Sequence, residues 1–329
     1  MKAAIYQRFG PPDVIQIMET EKPIPKDDEV LINVRAASVN PYDWHFLRGT
    51  PYFLRIVAGL RRPRDTRFGV DVAGLVEAVG TNVTQSKPGD AVFGCARGAF
   101  AEYACASESK LALKPANVSF AQAAAVPIAG LTALQGLRRG RLGEKGQTQS
   151  GMKVLVNGAA GGVGTFAVQI AKAFGAEVIG VCGPRNVEMV RSIGANRVMD
   201  YTREDFTKSG KQYDLIFDCI ANHSLSAFRG VLNPDGKYIM VGTADGGGRW
   251  MFGALARVLG ALVLSWFGRQ KLIMVGAKVV KEDLTILGDL MKTGKVTPVI
   301  DKRYSLREVP EAIRYLETGH ARGKVVIIF

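Results

Sequence analysis

Two hydrophobic rhythms divide the chain. Up to about residue 115 the apolar positions come in short runs, several alternating with polar ones: Val30, Ile32 and Val34 interleave with Leu31, Asn33 and Arg35. That period of two predicts strands at Lys2–Gln7, Val14–Met18, Glu29–Val39, Val72–Val79, Ala91–Gly94, Ala99–Ala104 and Lys110–Leu113. Gly10-Pro11-Pro12, Pro23 to Asp28 and Lys87-Pro88-Gly89-Asp90 punctuate them, and many short strands with such turns make a small β-barrel. From Ser119 the rhythm lengthens. Phe120–Leu137 reads as helical, with breaks at Pro127 and Gly130. Apolar strands then alternate with helical stretches: Lys153–Asn157, Glu177–Val181, Arg197–Asp200, Asp214–Ile220, Lys237–Val241 and Leu272–Val275. This is the pattern of a doubly wound α/β sheet of six strands. A helix follows at Lys281–Lys292, and Val325–Phe329 is a terminal strand expected to return to the first domain. The expected layout is a β-barrel domain over 1–122, an α/β domain over 123–277, and a return to the first domain over 278–329.

The sharpest local pattern is Lys153 to Phe174. An apolar run, Val154-Leu155-Val156, feeds a turn crowded with Gly158, Gly161, Gly162 and Gly164. Val163, Ala167, Ile170, Ala171 and Phe174 then share one helical face. A strand opening a helix through such a turn leaves backbone N–H groups and the positive end of the helix dipole free to seat a pyrophosphate. The strand–turn–helix context is the one that a dinucleotide fingerprint requires.

Which dinucleotide depends on the second strand of the sheet. An acid at its end would bond the ribose hydroxyls and repel a 2′-phosphate. Here the strand closes Val181-Cys182-Gly183-Pro184-Arg185-Asn186, without an acid. Arg185 offers a planar cation suited to a phosphate, so NADPH is expected over NADH. Tyr201, just past the third strand, and Cys219, closing the fourth, are further candidates to flank the cofactor.

The 329 residues carry 43 Lys+Arg against 30 Asp+Glu, a net charge of +13. That excess fits a basic surface or an anionic ligand. Six arginines between Arg48 and Arg67, with aromatics among them, read as a solvated segment or the rim of a positively charged pocket. Four scattered cysteines form no secreted framework, and with no leader pattern at the N-terminus a cytoplasmic location is expected. The apolar stretch Trp250–Val275 is interrupted by Arg257 and Arg269. It reads as a buried or amphipathic helical insertion, with peripheral membrane contact the lesser reading.

The order of motifs resembles the medium-chain dehydrogenase/reductase superfamily over nearly the whole chain, specifically its zinc-free quinone oxidoreductase group. The matching residues are Ser38-Val39-Asn40-Pro41-Tyr42-Asp43, Gly69-Val70-Asp71-Val72-Ala73-Gly74, Lys87-Pro88-Gly89-Asp90, Gly98 to Tyr103, Gly130-Leu131-Thr132-Ala133 and the glycine turn. The resemblance implies a GroES-like barrel plus a Rossmann domain, and a homodimer. It also implies that Asn40 lies near the nicotinamide and Thr132 beneath it. Gly161, Gly162 and Val163, with Gly164, would hold the pyrophosphate, while Arg322 and Lys324 close over the cofactor. Zinc-dependent members need Cys and His ligands. The corresponding places read Asn40, Val70 and Gly130–Thr132, so no metal is expected.

Without a Lewis acid a simple alcohol is a poor partner. Quinones and α,β-unsaturated carbonyls can spread the incoming charge onto oxygen, given orientation and a hydrogen-bond donor. Tyr42 and Tyr52 are the candidate donors. Two other classes stay open: a basic nucleic-acid-binding protein, for which no binding module is visible, and a scaffold that holds NADPH without turnover.

Overall fold

The computed structural model describes residues 1–143, 151–241 and 269–329. The expected loop Arg141–Gly151 and the apolar Trp250–Val275 stretch lie largely outside them. The described residues form two compact units. One comprises 1–131, 279–294 and 298–329; the other comprises 132–278 and 295–297. The division therefore falls later than the expected residue 122, inside a helix rather than ahead of it. Among the described residues no helix is long and apolar enough to cross a membrane.

In chain order the first unit begins with a hairpin of β1 (Lys2–Tyr6) and β2 (Ile15–Glu19). Then come β3 (Glu29–Val39), α1 (Pro41–Arg48), α2 (Leu54–Ala58), β4 (Asp71–Val79), β5 (Ala91–Cys95), β6 (Tyr103–Ser107), β7 (Leu111–Leu113) and α3 (Phe120–Ala124). α4 (Pro127–Arg139) carries the chain across the division. Its start follows the expected break at Pro127, which suits a first turn because its missing N–H costs no bond there. Gly130 does not interrupt it. Ala99–Ala104 was expected as a strand, but the ladder starts only at Tyr103. Gly98 has φ 75° and Ala101 makes only an isolated bridge to Ala3.

The second unit holds β8 (Lys153–Asn157), α5 (Gly162–Ala173), β9 (Glu177–Cys182), α6 (Val187–Ser192), β10 (Arg197–Asp200), β11 (Tyr213–Asp218), α7 (Leu225–Gly230), β12 (Leu232–Met240) and β13 (Lys271–Met274). All pair in parallel in the order β10-β9-β8-β11-β12-β13. This is the doubly wound order with its reversal at β8, so ligands belong beyond the carboxyl ends of β8 and its neighbours. Leu155, Ile179, Val181, Ile216, Phe228 and Tyr238 anchor one core face.

The chain then returns to the first unit with α8 (Lys281–Lys292), β14 (Ile300–Ser305), α9 (Val309–Glu317) and β15 (Lys324–Ile328). β15 pairs antiparallel with β3, Val326 opposite Ser38, and completes the sheet β14-β15-β3-β4-β5-β7, with β6 also on β3. Val30, Ile32, Val34, Val72, Phe100, Val325 and Ile327 fill the barrel.

Candidate functional site

In the first unit, three neighbouring strands place polar side chains inside an apolar barrel. Ser38 is the last residue but one of β3, Asp71 opens β4 and Lys324 opens β15; α1 begins at once after Asn40. Ser38, Asn40, Asp43, Asp71 and Lys324 are all buried. Such groups persist in a core only when bonded to one another. Asp71 is the hub. Its Oδ2 accepts from the Ser38 hydroxyl at 2.8 Å and the Asn40 amide at 2.9 Å, and its Oδ1 from the Ile128 N–H at 3.0 Å. The Cys95 thiol lies 3.9 Å from the same carboxylate. The Lys324 ammonium donates to Asn40 Oδ1 at 2.5 Å and to the Val39 carbonyl at 3.3 Å, and sits 3.6 Å from Asp71.

Asn40 also caps α1. Its N–H donates to Asp43 Oδ2 at 2.7 Å in a capping box, and Pro41 takes the first helical position. Asp43 Oδ1 is buried without a hydrogen-bond partner. Burial pushes the Asp43 carboxyl up to about 8; the Asn40 N–H and Lys324 oppose the shift and Asp71 adds to it. Near neutral pH it therefore holds a proton. Burial likewise lowers the Lys324 ammonium, opposed by Asp71 and Asp43, and raises the Cys95 thiol.

The expected sites fare differently. Asn40 stands at the centre of the cluster. Lys324, which the resemblance sets over the cofactor, is 3% exposed and bonded to Asn40, with Asp71 beside it. Two residues away Arg322 is exposed, its N–H held by Asp301 at 2.9 Å. Tyr42 is half-exposed on α1, its ring 4.3 Å from that of Phe46. Burial and the nearby Asp43 raise its hydroxyl. Tyr52 is exposed beside the Arg55 guanidinium, 4.9 Å from its ring centre.

In the second unit the glycine turn is built as the spacing suggests. Gly161 caps α5 without a side-chain bond. Gly161, Gly162 and Val163 are partly accessible, whereas Gly164 to Ala171 sink into the core. The first N–H groups of α5 precede any intrahelical acceptor. A Cβ on Gly161 would meet only the Gly158 carbonyl, at 3.5 Å; one on Gly164 would strike that carbonyl at 2.1 Å. Gly161 thus keeps open space before the helix, and Gly164 allows α5 to close on the turn. The residues fit a pyrophosphate. Cys219 flanks the turn, its N–H donating to Asn157 at 3.0 Å. Arg185 is exposed at the end of β9. Tyr201 is 63% exposed, and its hydroxyl lies 3.0 Å from where a Cβ on Gly183 would stand. Arg185 and Tyr201 therefore border the same strand end. Thr132 is buried on α4.

A second buried hub went unrecognised in the sequence. Asp218 accepts from Asn157 at 2.9 Å, from the N–H groups of Ile220 and Ala221 at 3.0 Å, and from the Tyr238 hydroxyl at 2.6 Å. It pins the carboxyl ends of β8 and β11, where the turn begins.

Residues 26–116 match the alcohol dehydrogenase GroES-like domain family, and residues 193–327 the family described as zinc-binding dehydrogenase. The chain is 33% identical over 336 residues to a chloroplast envelope quinone oxidoreductase homolog of Arabidopsis thaliana, covering 99% of this chain and 98% of that one. The chain belongs to the quinone oxidoreductase group of the medium-chain dehydrogenase/reductase superfamily. As a member of that group it is also 34% identical to an NADPH-dependent alkenal/one oxidoreductase of the same plant, over 99% of this chain and 79% of that one. A solved quinone oxidoreductase from Coxiella burnetii superposes with a TM-score of 0.84 at 30% identity, over 100% of this chain and 99% of that one.

For this member of the group, the sequence signal at each position is a polar residue set against an apolar run, which marks the residue without saying that the three meet. Ser38 among Ala36, Ala37 and Val39, Asp71 before Val72 and Ala73, and Lys324 before Val325 and Val326 all have it.

Proposed function

We propose that the protein is an NADPH-dependent reductase that transfers a hydride to a quinone or an α,β-unsaturated carbonyl compound without a metal ion. The observation that carries this reading is the Asn40–Lys324 pair. Asn40 stands where a zinc-dependent relative would offer a thiolate, and its amide oxygen already accepts from an ammonium group. A dication at that oxygen would face Lys324, and an amide and Val70 are poor ligands for zinc. NADPH fits the names of relatives and the residues present: the α5 N-terminus for the pyrophosphate, Arg185 for the 2′-phosphate.

The bound dinucleotide would supply the hydride. The chain's own residues orient and exclude. Lys324 and Asp71 lock the Asn40 amide in one rotamer by bonding both its ends. Tyr42, an ordinary phenol whose hydroxyl burial raises further, keeps its proton at neutral pH and so remains a donor for a developing oxyanion. A conjugated acceptor delocalises that charge, so a hydrogen-bond donor suffices where a simple ketone would require a Lewis acid.

The direct test is anaerobic NADPH oxidation across quinones, enals, enones and simple ketones, before and after dialysis against a chelator. Turnover confined to conjugated acceptors and indifferent to chelation is expected. No consumption with any acceptor, or activity lost on chelation and restored by zinc, overturns the reading. Tyr42→Phe and Tyr52→Phe locate the proton: a slower Tyr42→Phe is expected, and unchanged turnover in both makes solvent the source. The reading includes a homodimer, which sedimentation velocity checks. It also includes a reducing, cytoplasmic setting, supported by four free cysteines.

A further inference from the structure

The segment after α1 is amphipathic the wrong way round. Phe53, Ile56, Val57 and Leu60 recur at helical spacing, which in a soluble helix marks the buried face. Here Phe53 is half-exposed, and Ile56, Val57 and Leu60 are 66%, 69% and 71% exposed. The charged residue between them points inward instead. Arg55 donates to the Gly49 and Arg48 carbonyls at 3.0 and 3.4 Å, and its guanidinium lies 4.8 Å from the Phe9 ring centre.

The face is a built surface. The Gly59 N–H closes α2 on the Arg55 carbonyl at 2.8 Å, and the Arg64 N–H folds back to Ala58 at 2.7 Å. Gly59 adopts φ 122°, with the Arg62 carbonyl 2.1 Å from where a Cβ would stand. This tight return brings Arg61, Arg62 and Arg64 beside the apolar stripe. All three are exposed, and none forms an ion pair with a described residue. The acid in this loop, Asp65, is taken by Arg67 and Arg97.

We propose that Ile56, Val57 and Leu60, collared by Arg61, Arg62 and Arg64, dock the protein on an anionic phospholipid surface. Branched aliphatic side chains insert at the boundary between headgroups and acyl chains, and guanidinium groups pair with phosphates around them. A second copy is a poorer occupant, because a two-fold contact would set one arginine collar against another. Nucleic acid would use the arginines but leave Ile56, Val57 and Leu60 wet, since aliphatic side chains offer no stacking platform for a base. The net charge of +13 favours the same partner. Docking would bring the reductase onto the same surface as any quinone or enone acceptor that partitions into lipid. That consequence rests on the proposed function; the docking itself does not.

The test is co-sedimentation of the full-length protein with phosphatidylcholine vesicles, with and without phosphatidylglycerol, at low and high salt. Binding only to the anionic vesicles, weakened by salt, is expected. Ile56→Ser/Val57→Ser/Leu60→Ser should lower the partition coefficient roughly tenfold or more. Arg61→Gln/Arg62→Gln/Arg64→Gln should do the same and flatten the salt dependence. Thermal midpoint and NADPH binding verify that both variants are folded. Wild-type protein that stays in the supernatant refutes the proposal. So do variants that pellet like wild type, and so does a stripe whose loss instead dissociates an oligomer or abolishes RNA retention.

Discussion

The two sites of this chain handle charge in opposite ways. The turn before α5 works through backbone: N–H groups at an uncapped helix start, kept accessible by glycine. The barrel cluster works through side chains that the sequence scatters over 287 positions, from Ser38 to Lys324, and the fold gathers beside Asp71. A backbone site costs little to keep, because its donors are satisfied by water when no ligand is there. A buried side-chain site must satisfy nearly all of its groups at all times, Asp43 Oδ1 being left over, because each unpaired charge would cost several kcal/mol of desolvation. The comparison implies that the barrel cluster is the stability-critical one and the glycine turn the ligand-critical one.

The strongest way to break that contrast is Lys324→Ala. It leaves Asp71 and Asn40 buried without their cation, which should cost about 3–5 kcal/mol of stability. Urea denaturation of the variant measures it. Lys324→Met combined with Asp71→Asn should recover part of the loss, since both charges then go. A Lys324→Ala protein as stable as wild type would show that the cluster is hydrated and the contrast false.

Asp43 gives the next effect, through pH. Its folded pKa, about 8, lies above its unfolded value near 4. Between the two the folded state holds a proton that the unfolded chain has released. Asp43 therefore makes stability fall as pH rises through that window, by up to about 1.4 kcal/mol per pH unit. The facing groups are the Asn40 N–H and Lys324, which favour the charged form, and Asp71, which opposes it. Asp43→Asn removes the slope while keeping an acceptor for the Asn40 N–H. Parallel urea midpoints for wild type and variant across that pH window would contradict the protonated-acid assignment.

Gly164→Ala sharpens the contrast from the other side. Its Cβ would lie 2.1 Å from the Gly158 carbonyl and 2.9 Å from Ala159 Cα. These are backbone atoms that cannot swing aside, so α5 must back away from the turn, at about 1–3 kcal/mol. NADPH affinity should fall by a larger factor than stability alone explains, because the pyrophosphate donors move with the helix. Equilibrium NADPH titration beside thermal unfolding separates the two, and unchanged affinity would mean that the helix start does not hold the ligand.

The same division explains what was legible in the sequence. The turn was readable because its residues are contiguous and its chemistry follows from missing side chains. The sheet order followed from the alternation of strand and helix, and β8, β10 and α8 fall where periodicity puts them. The barrel cluster was not readable as a unit. Asn40 and Lys324 meet only because β15 returns to pair with β3, and pairing across that distance leaves no local periodic trace. The inverted amphipathicity around Ile56 was hidden for a related reason: helical spacing locates an apolar face but does not say which way it points. The rhythm changes from Ser119, which sets the expected boundary at 122, yet α3 still packs on the barrel strands and the division comes after Leu131.

Arg185 carries the smallest effect and the most specific one. It is exposed and has no ion-pair partner among the described residues, so Arg185→Ala should leave stability within about 0.5 kcal/mol of wild type. What it should change is discrimination. A guanidinium beside the end of β9 can pair with a 2′-phosphate, whereas NADH offers only hydroxyls there. Removing it should raise KM for NADPH roughly tenfold, about 1.4 kcal/mol, and leave KM for NADH nearly unchanged. Tyr201→Ala, on the same strand end but without charge, should weaken both cofactors alike. Equal losses for NADPH and NADH in Arg185→Ala would remove the phosphate from this corner and leave Arg185 an ordinary surface cation.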